Sequence, residues 1–259
     1  MRVLAILLMC GLFACQQNVE DKEPAQPPAP QTEPPPAPAV EEAAPQMTPT
    51  KAMMRGHFEQ AGEAREALIR ADIASAKTAM NWLATHKLGV ALPESLRPML
   101  TPMQQSAAEF SKATNLREAG VALAQTLTKC GDCHDKAGKG PTFAVPPLPE
   151  GKDAVHHMQR HHWAAERMWE GLVKRDPEAF EAAANAMAEG PIEAELLAPP
   201  PDEKETVEHL TKHLHELGEK AKAASDPTAR AEAYGNFLAT CATCHRMLGR
   251  GPKPVAETN

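Results

Sequence analysis

Leu116-Arg-Glu-Ala-Gly-Val-Ala-Leu-Ala-Gln-Thr-Leu-Thr-Lys-Cys130-Gly-Asp-Cys133-His134-Asp-Lys-Ala-Gly138 reads as one amphipathic helix with a chemical signature at its end. Leu116, Gly120, Leu123, Leu127, Cys130 and His134 recur at steps of three and four, the spacing of a helix face buried in a bundle seam. The helix is expected to begin near Asn115, with Gly138 as its C-terminal cap. A second segment repeats the design. Its stripe is Pro227, Ala231, Tyr234, Leu238, Cys241 and His245, with Asp226 before it and Gly249 after it.

The repeat extends outward from these helices. Met54-Arg-Gly-His57-Phe58 matches Met158-Gln-Arg-His161-His162, and Leu68 to Asp72 matches Leu172 to Asp176, both at an offset of 104 residues. Cys130 matches Cys241, and Gly138-Lys-Gly-Pro141 matches Gly249-Arg-Gly-Pro252, at an offset of 111. The second copy is therefore longer in its middle by about two helical turns. Alanine, glutamate, lysine and leucine dominate both copies, and β-branched residues are sparse. Four helices per copy are predicted. Helix A covers about 51–71 and 153–175. Helix B follows the caps Asp72 and Asp176, the latter with Pro177 at the first helical position. Loops carrying proline follow, about 87–100 and 190–201. Helix C starts at Thr101-Pro102 and Asp202, and helix D is the motif helix. In the second copy, helix C carries the stripe Val207, Leu210, Leu214, Leu217 and Ala221. The fold class expected is all-α: two tandem up-down-up-down four-helix bundles, over 51–145 and 152–255.

Cys130-Gly-Asp-Cys133-His134 and Cys241-Ala-Thr-Cys244-His245 both read C-x-x-C-H, the attachment signature for c-type haem. Two thiols at this spacing can each add to one haem vinyl group, and the following histidine reaches the iron as its proximal ligand. The cofactors expected are two haem c groups, held as thioethers by Cys130, Cys133, Cys241 and Cys244, with His134 and His245 on the iron. A four-cysteine zinc site fits poorly, because the two C-x-x-C units are over 100 residues apart, far beyond the usual ~15–20. A thioredoxin-like pair would need a βαβ context that this helical pattern lacks.

A haem motif at the end of the last helix of a four-helix unit resembles the cytochrome c-prime and cytochrome c-556 class, here over about 51–254, twice. In the small one-domain cytochromes c the motif lies near the N-terminus instead. An up-down-up-down bundle brings the start of helix A to the end of helix D, so the distal haem face is expected to meet the first turns of helix A. There the seam reads Met54, His57, Ala61, Ala64, Leu68, and Met158, His161, Ala165, Met168, Leu172. Three sixth-ligand states stay open. His57 and His161 can bind the iron. So can Met54 and Met158, since related bundles use a methionine near the start of helix A. The third state leaves the iron five-coordinate.

Other residues have plainer readings beside their functional ones. His157 and His161, and His209 and His213, are each one helical turn apart and could share a metal, but no third ligand is evident. His86 and His156 fit no pattern. Trp82, Trp163 and Trp169 suit core or haem-wall packing. Lys139 and Arg250 each follow a haem histidine by five residues, as candidate propionate partners or as ordinary exposed bases.

The chain start speaks of compartment. Met1-Arg2 precedes an apolar run from Val3 to Phe13, a short secretory signal well below the ~20 apolar residues of a membrane span. Leu12-Phe13-Ala14-Cys15 resembles a bacterial lipobox, which implies cleavage after residue 14 and lipidation of Cys15. The alternative is an ordinary signal with an incidental cysteine. Of the six cysteines, Cys10 leaves with the signal, Cys15 takes lipid, and four remain for haem. Residues 15–50 form a lipid-anchor and linker region, rich in proline and acidic with a single basic residue, Lys22. Such a stretch cannot bury enough surface to fold, and its prolines favour an extended tether of ~3.1 Å per residue.

The formal net charge of −7 argues against nucleic acid and for basic or neutral redox partner proteins. No dinucleotide, P-loop, serine-hydrolase or zinc-protease signature occurs, so an enzyme is not expected. The function expected is a lipid-anchored periplasmic dihaem cytochrome that carries electrons, at the outer membrane. The alternative is a haem-based sensor or scavenger of NO, CO or peroxide at an open iron.

Overall fold

A computed structural model describes residues 48–87, 92–189 and 192–251. The signal peptide, Cys15 and nearly all of the tether lie outside the described residues. Among those described there are eight α-helices and no strand. They are α1 (Pro49–Ile69), α2 (Ile73–Thr85), α3 (Leu100–Glu109), α4 (Leu116–Ala137), α5 (Ala154–Lys174), α6 (Pro177–Ala188), α7 (Lys204–Lys222) and α8 (Pro227–Met247).

The helix starts follow from short polar side chains that satisfy first-turn N–H groups. Asp72 accepts from Ser75 N, Asn115 from Glu118 N, Asp153 from Val155 N and His156 N, Asp176 from Ala179 N, and Asp226 from Thr228 N and Ala229 N. Glu118 reaches back to accept from the Thr114 N–H at 2.7 Å, closing a capping box one residue early. α4 ends on Gly138 at φ +60°, a left-handed residue that costs glycine nothing. The turn between the first two helices of each copy is the same. Ala71 (φ 60°) and Arg175 (φ 58°) are both left-handed, and the Asp that follows each returns its N–H to the carbonyl of Ala67 or Gly171. The two loops before helix C hold short 3-10 turns, Glu94–Met99 and Ala194–Leu197. Pro98 lies inside the first of these, and α3 begins only after it.

Helices pack in chain order within each copy, α1 to α4 and α5 to α8. The broadest contact of all joins the copies: α4 lies against α8. Thr114 to Arg117, at the start of α4, share a surface groove with Asn236 to Arg246, so the two motif helices run antiparallel. Their backbones nearly touch. A Cβ on Gly120 would collide with the Gly235 carbonyl, and one on Gly235 would lie 2.5 Å from Val121. The central hydrophobic core is continuous across both copies, and the described residues form one compact unit. α5 also packs on α4, and α1 on α8. Arg65 of α1 bridges to Glu166 of α5 at 2.8 Å and stacks 4.8 Å over the Trp169 ring.

Candidate cofactor sites

Cys130, Cys133 and His134 occupy the last turns of α4, where steps of three and four put all three on one face. The thiols are free. Burial, with Cys133 nearby, pushes the Cys130 thiol up to about 12, and burial also raises Cys133. Both stay protonated at neutral pH. The proximal candidate is held in a defined way: His134 Nδ1 lies 2.9 Å from the Val173 carbonyl oxygen. A carbonyl only accepts, so Nδ1 donates to it, and Nε2 is the ring nitrogen left for a metal. This is the outer-shell bond that orients a metal-binding imidazole. Val173 belongs to the other copy, at the end of α5. The fit there is tight. A Cβ on Gly131, inside the motif, would collide with the Leu172 carbonyl, and Asp132 pairs with Arg175.

In the second motif the corresponding carbonyl comes from the first copy. His245 faces the carbonyl of Ile69, the residue that aligns with Val173. The approach falls short of a well-formed hydrogen bond, and His245 Nδ1 is buried without a partner. In front of this motif is a cavity of about 1040 Å³. Cys241, Cys244 and His245 line one side, and Met158 and His161 line another. The start of α5 and the end of α8 thus meet at one cavity. Burial pulls the His161 pKa down to about 3, helped by His215, His157, Arg160 and His245 around it. Its ring is neutral and able to donate a lone pair. The Cys241 thiol is pushed up to about 12 by burial and Cys244, and Cys244 is raised by burial.

These residues fit a covalently held haem. The cavity is at the upper end of the ~300–1,000 Å³ typical of ligand pockets, and side chains such as Leu214, Phe237 and Leu238 make much of its wall apolar. Two free thiols and an imidazole with an orphaned buried nitrogen stand at its edge.

The aligned histidine of the first copy is surrounded differently. His57 packs edge-on against Trp82 (5.6 Å) and His86 (5.7 Å), which stack on each other at 4.0 Å. Burial, and the nearby His86, lower the His57 pKa to about 4, and its Nε2 is buried without a partner. Trp82 aligns with Ala186, so the second copy has no counterpart to this aromatic box. Met54 is half-buried on the same helix.

Of the remaining candidates, Arg250 lines the second cavity and donates to the Leu197 carbonyl at 2.9 Å, whereas Lys139 is exposed. His209 is exposed and His213 pairs with Glu216 at 3.8 Å. Among the described residues no third ligand joins either histidine pair in a metal-like group. Three features carried no sequence signal that pointed to a site: the Val173 and Ile69 carbonyls, the crowding at Gly131, and the segment 143–149, which lines the second cavity. Equivalence of Ile69 and Val173 under the 104-residue offset is the one clue that pairs the first two.

Comparison with known protein families, curated proteins and solved structures finds no match.

Proposed function

We propose that this protein is a dihaem c-type cytochrome that carries electrons, built as two four-helix bundles of the cytochrome c-prime and c-556 kind joined back to back along α4 and α8. The observation that carries this is the His134 Nδ1 bond to the Val173 carbonyl, inside a C-x-x-C-H motif, which leaves Nε2 free. When bound, haem iron supplies a one-electron couple. The chain does the rest. Cys130, Cys133, Cys241 and Cys244 tether, His134 and His245 ligate, and the apolar cavity wall keeps water away. Thiols buried and protonated in the finished fold are weak nucleophiles, which favours attachment before the bundle closes. His161 is the distal candidate of the second site, with Met158 beside it.

Pyridine haemochrome analysis should give two covalent haems per chain, and a potentiometric titration followed by absorbance should give two one-electron steps. With His161 on the iron the spectrum is low-spin without a sulfur charge-transfer band, and His161→Ala turns that one haem high-spin. Retention of a low-spin spectrum with a sulfur band in both proteins would assign Met158 instead. Absence of covalent haem would defeat the proposal.

A small-ligand sensor is the second reading, and it draws on the first copy, where His57 is engaged by Trp82 and His86. Carbon monoxide separates the two readings: rapid, full binding at both haems of the reduced protein favours the sensor.

Placement on the periplasmic side of a bacterial outer membrane, through lipid on Cys15, belongs to the same proposal. No helix among the described residues is long and apolar enough to cross a membrane. Cys15→Ser should move the protein from the membrane fraction to the soluble one. Persistence in the membrane fraction would rule out the anchor.

A further inference from the structure

One wall of the second cavity belongs to no helix. Residues 139–151 have neither helix nor strand, and Pro141, Pro146, Pro147 and Pro149 lack backbone donors. Yet Phe143, Ala144, Pro146, Pro147 and Pro149 all line the cavity of Cys241, Cys244 and His245. Val145 and Leu148 turn outward, 53% and 38% exposed. The segment crosses the cavity as a strip with an inner and an outer face. Three contacts hold it. Phe143 packs on Phe58, ring centres 5.9 Å apart, with Lys174 Nζ 6.0 Å over its ring. The Trp163 indole N–H donates to the Pro146 carbonyl at 2.9 Å. Arg160 donates to the Gly151 carbonyl at 2.6 Å.

Resting on the haem reading above, we propose that residues 143–149 are a strap closing the second haem site, and that Trp163 is the positioning residue that holds it shut. The strap would set two properties of that haem alone. It would bar exogenous ligands from the iron. It would also raise the reduction potential, because reduction removes a positive charge from the iron and a dry wall disfavours the more charged state. Trp163 suits the task. Its N–H only donates, and with prolines along the segment the strap offers mainly carbonyls to be held by. Both residues of that bond line the cavity.

The test uses the full-length, haem-loaded protein. Trp163→Phe keeps an aromatic ring, though a smaller one, and removes the N–H. Stopped-flow binding of imidazole to the ferric protein should show one phase faster by several-fold, up to about tenfold, the factor that one ordinary hydrogen bond is worth. In a potentiometric titration the same haem should move to lower potential while the other stays put. Arg160→Gln frees the far end of the strap and should move the same haem the same way. The Cys130→Ser/Cys133→Ser protein, which keeps only the second haem, assigns the phase. Two haems bound with both phases unmoved, or both moved equally, would overturn the strap alone. A wild-type chain without covalent haem would overturn the strap together with the reading it rests on.

Discussion

Cys130→Ser/Cys133→Ser is expected to lower covalent haem from two per chain to one, and Cys241→Ser/Cys244→Ser to do the same. The reason is chemical. A serine hydroxyl does not form the thioether, and each motif has its own thiols, histidine and neighbouring carbonyl. The consequences for the fold should differ. The second motif opens on a cavity of about 1040 Å³ with a largely apolar wall, lined by residues of α5, α7 and α8. A haem held there would pack against that wall, and a cavity of this size left empty costs several kcal/mol where the walls cannot collapse. The Cys241→Ser/Cys244→Ser protein should therefore lose more stability in denaturant than the Cys130→Ser/Cys133→Ser protein. Pyridine haemochrome per chain measures the first effect and the urea midpoint the second. A haem count of two in either double variant would break the assignment of the motifs.

Much of the architecture was legible because the deciding residues announce themselves by side chain. Asp72 and Asp176 cap the helices expected of them, and the helices expected to begin near Asn115 and at Asp226 start there. Ala61, Ala64 and Leu68 are buried along the seam of α1, as Ala165, Met168 and Leu172 are along that of α5. The stripe that carries Met158 and His161 delivers both to the cavity at the second motif. What stayed hidden depends on backbone. His134 is oriented by a carbonyl, and a carbonyl belongs to every residue, so nothing about Val173 marks it. The loop readings missed the 3-10 turns at Glu94–Met99 and Ala194–Leu197, where proline-bearing stretches conceal a single tight turn. His57 and His161 are equivalent in sequence yet differently surrounded, because Trp82 in one copy aligns with Ala186 in the other, and an aromatic ring of that size rearranges its neighbours. Reading the copies as successive bundles leaves out the interface where α4 and α8 meet.

That interface supports the other large prediction: Gly120→Ala should destabilise the protein by roughly 1–3 kcal/mol or more, although alanine is the better helix former. A methyl group at Gly120 would meet the carbonyl of Gly235, which cannot rotate away as a side chain could. Relief requires moving α8 off α4, and with it the residues buried at the crossing, such as Ala124 and Ala231, both fully buried. Gly235→Ala should act the same way, against the Val121 backbone. The double variant should cost less than the two singles added, because one separation of the helices accommodates both methyls. Gly62→Ala supplies the contrast. It lies within α1 with nothing within 4 Å of its added Cβ, so it should gain up to about 1 kcal/mol from helix propensity alone. Urea midpoints at unchanged slope measure all four proteins. Gly120 lies ten residues before Cys130, ~15 Å along the helix, so haem content should remain at two. A Gly120→Ala protein as stable as Gly62→Ala would mean that α4 and α8 do not approach this closely, and the joined-bundle arrangement would fall with it.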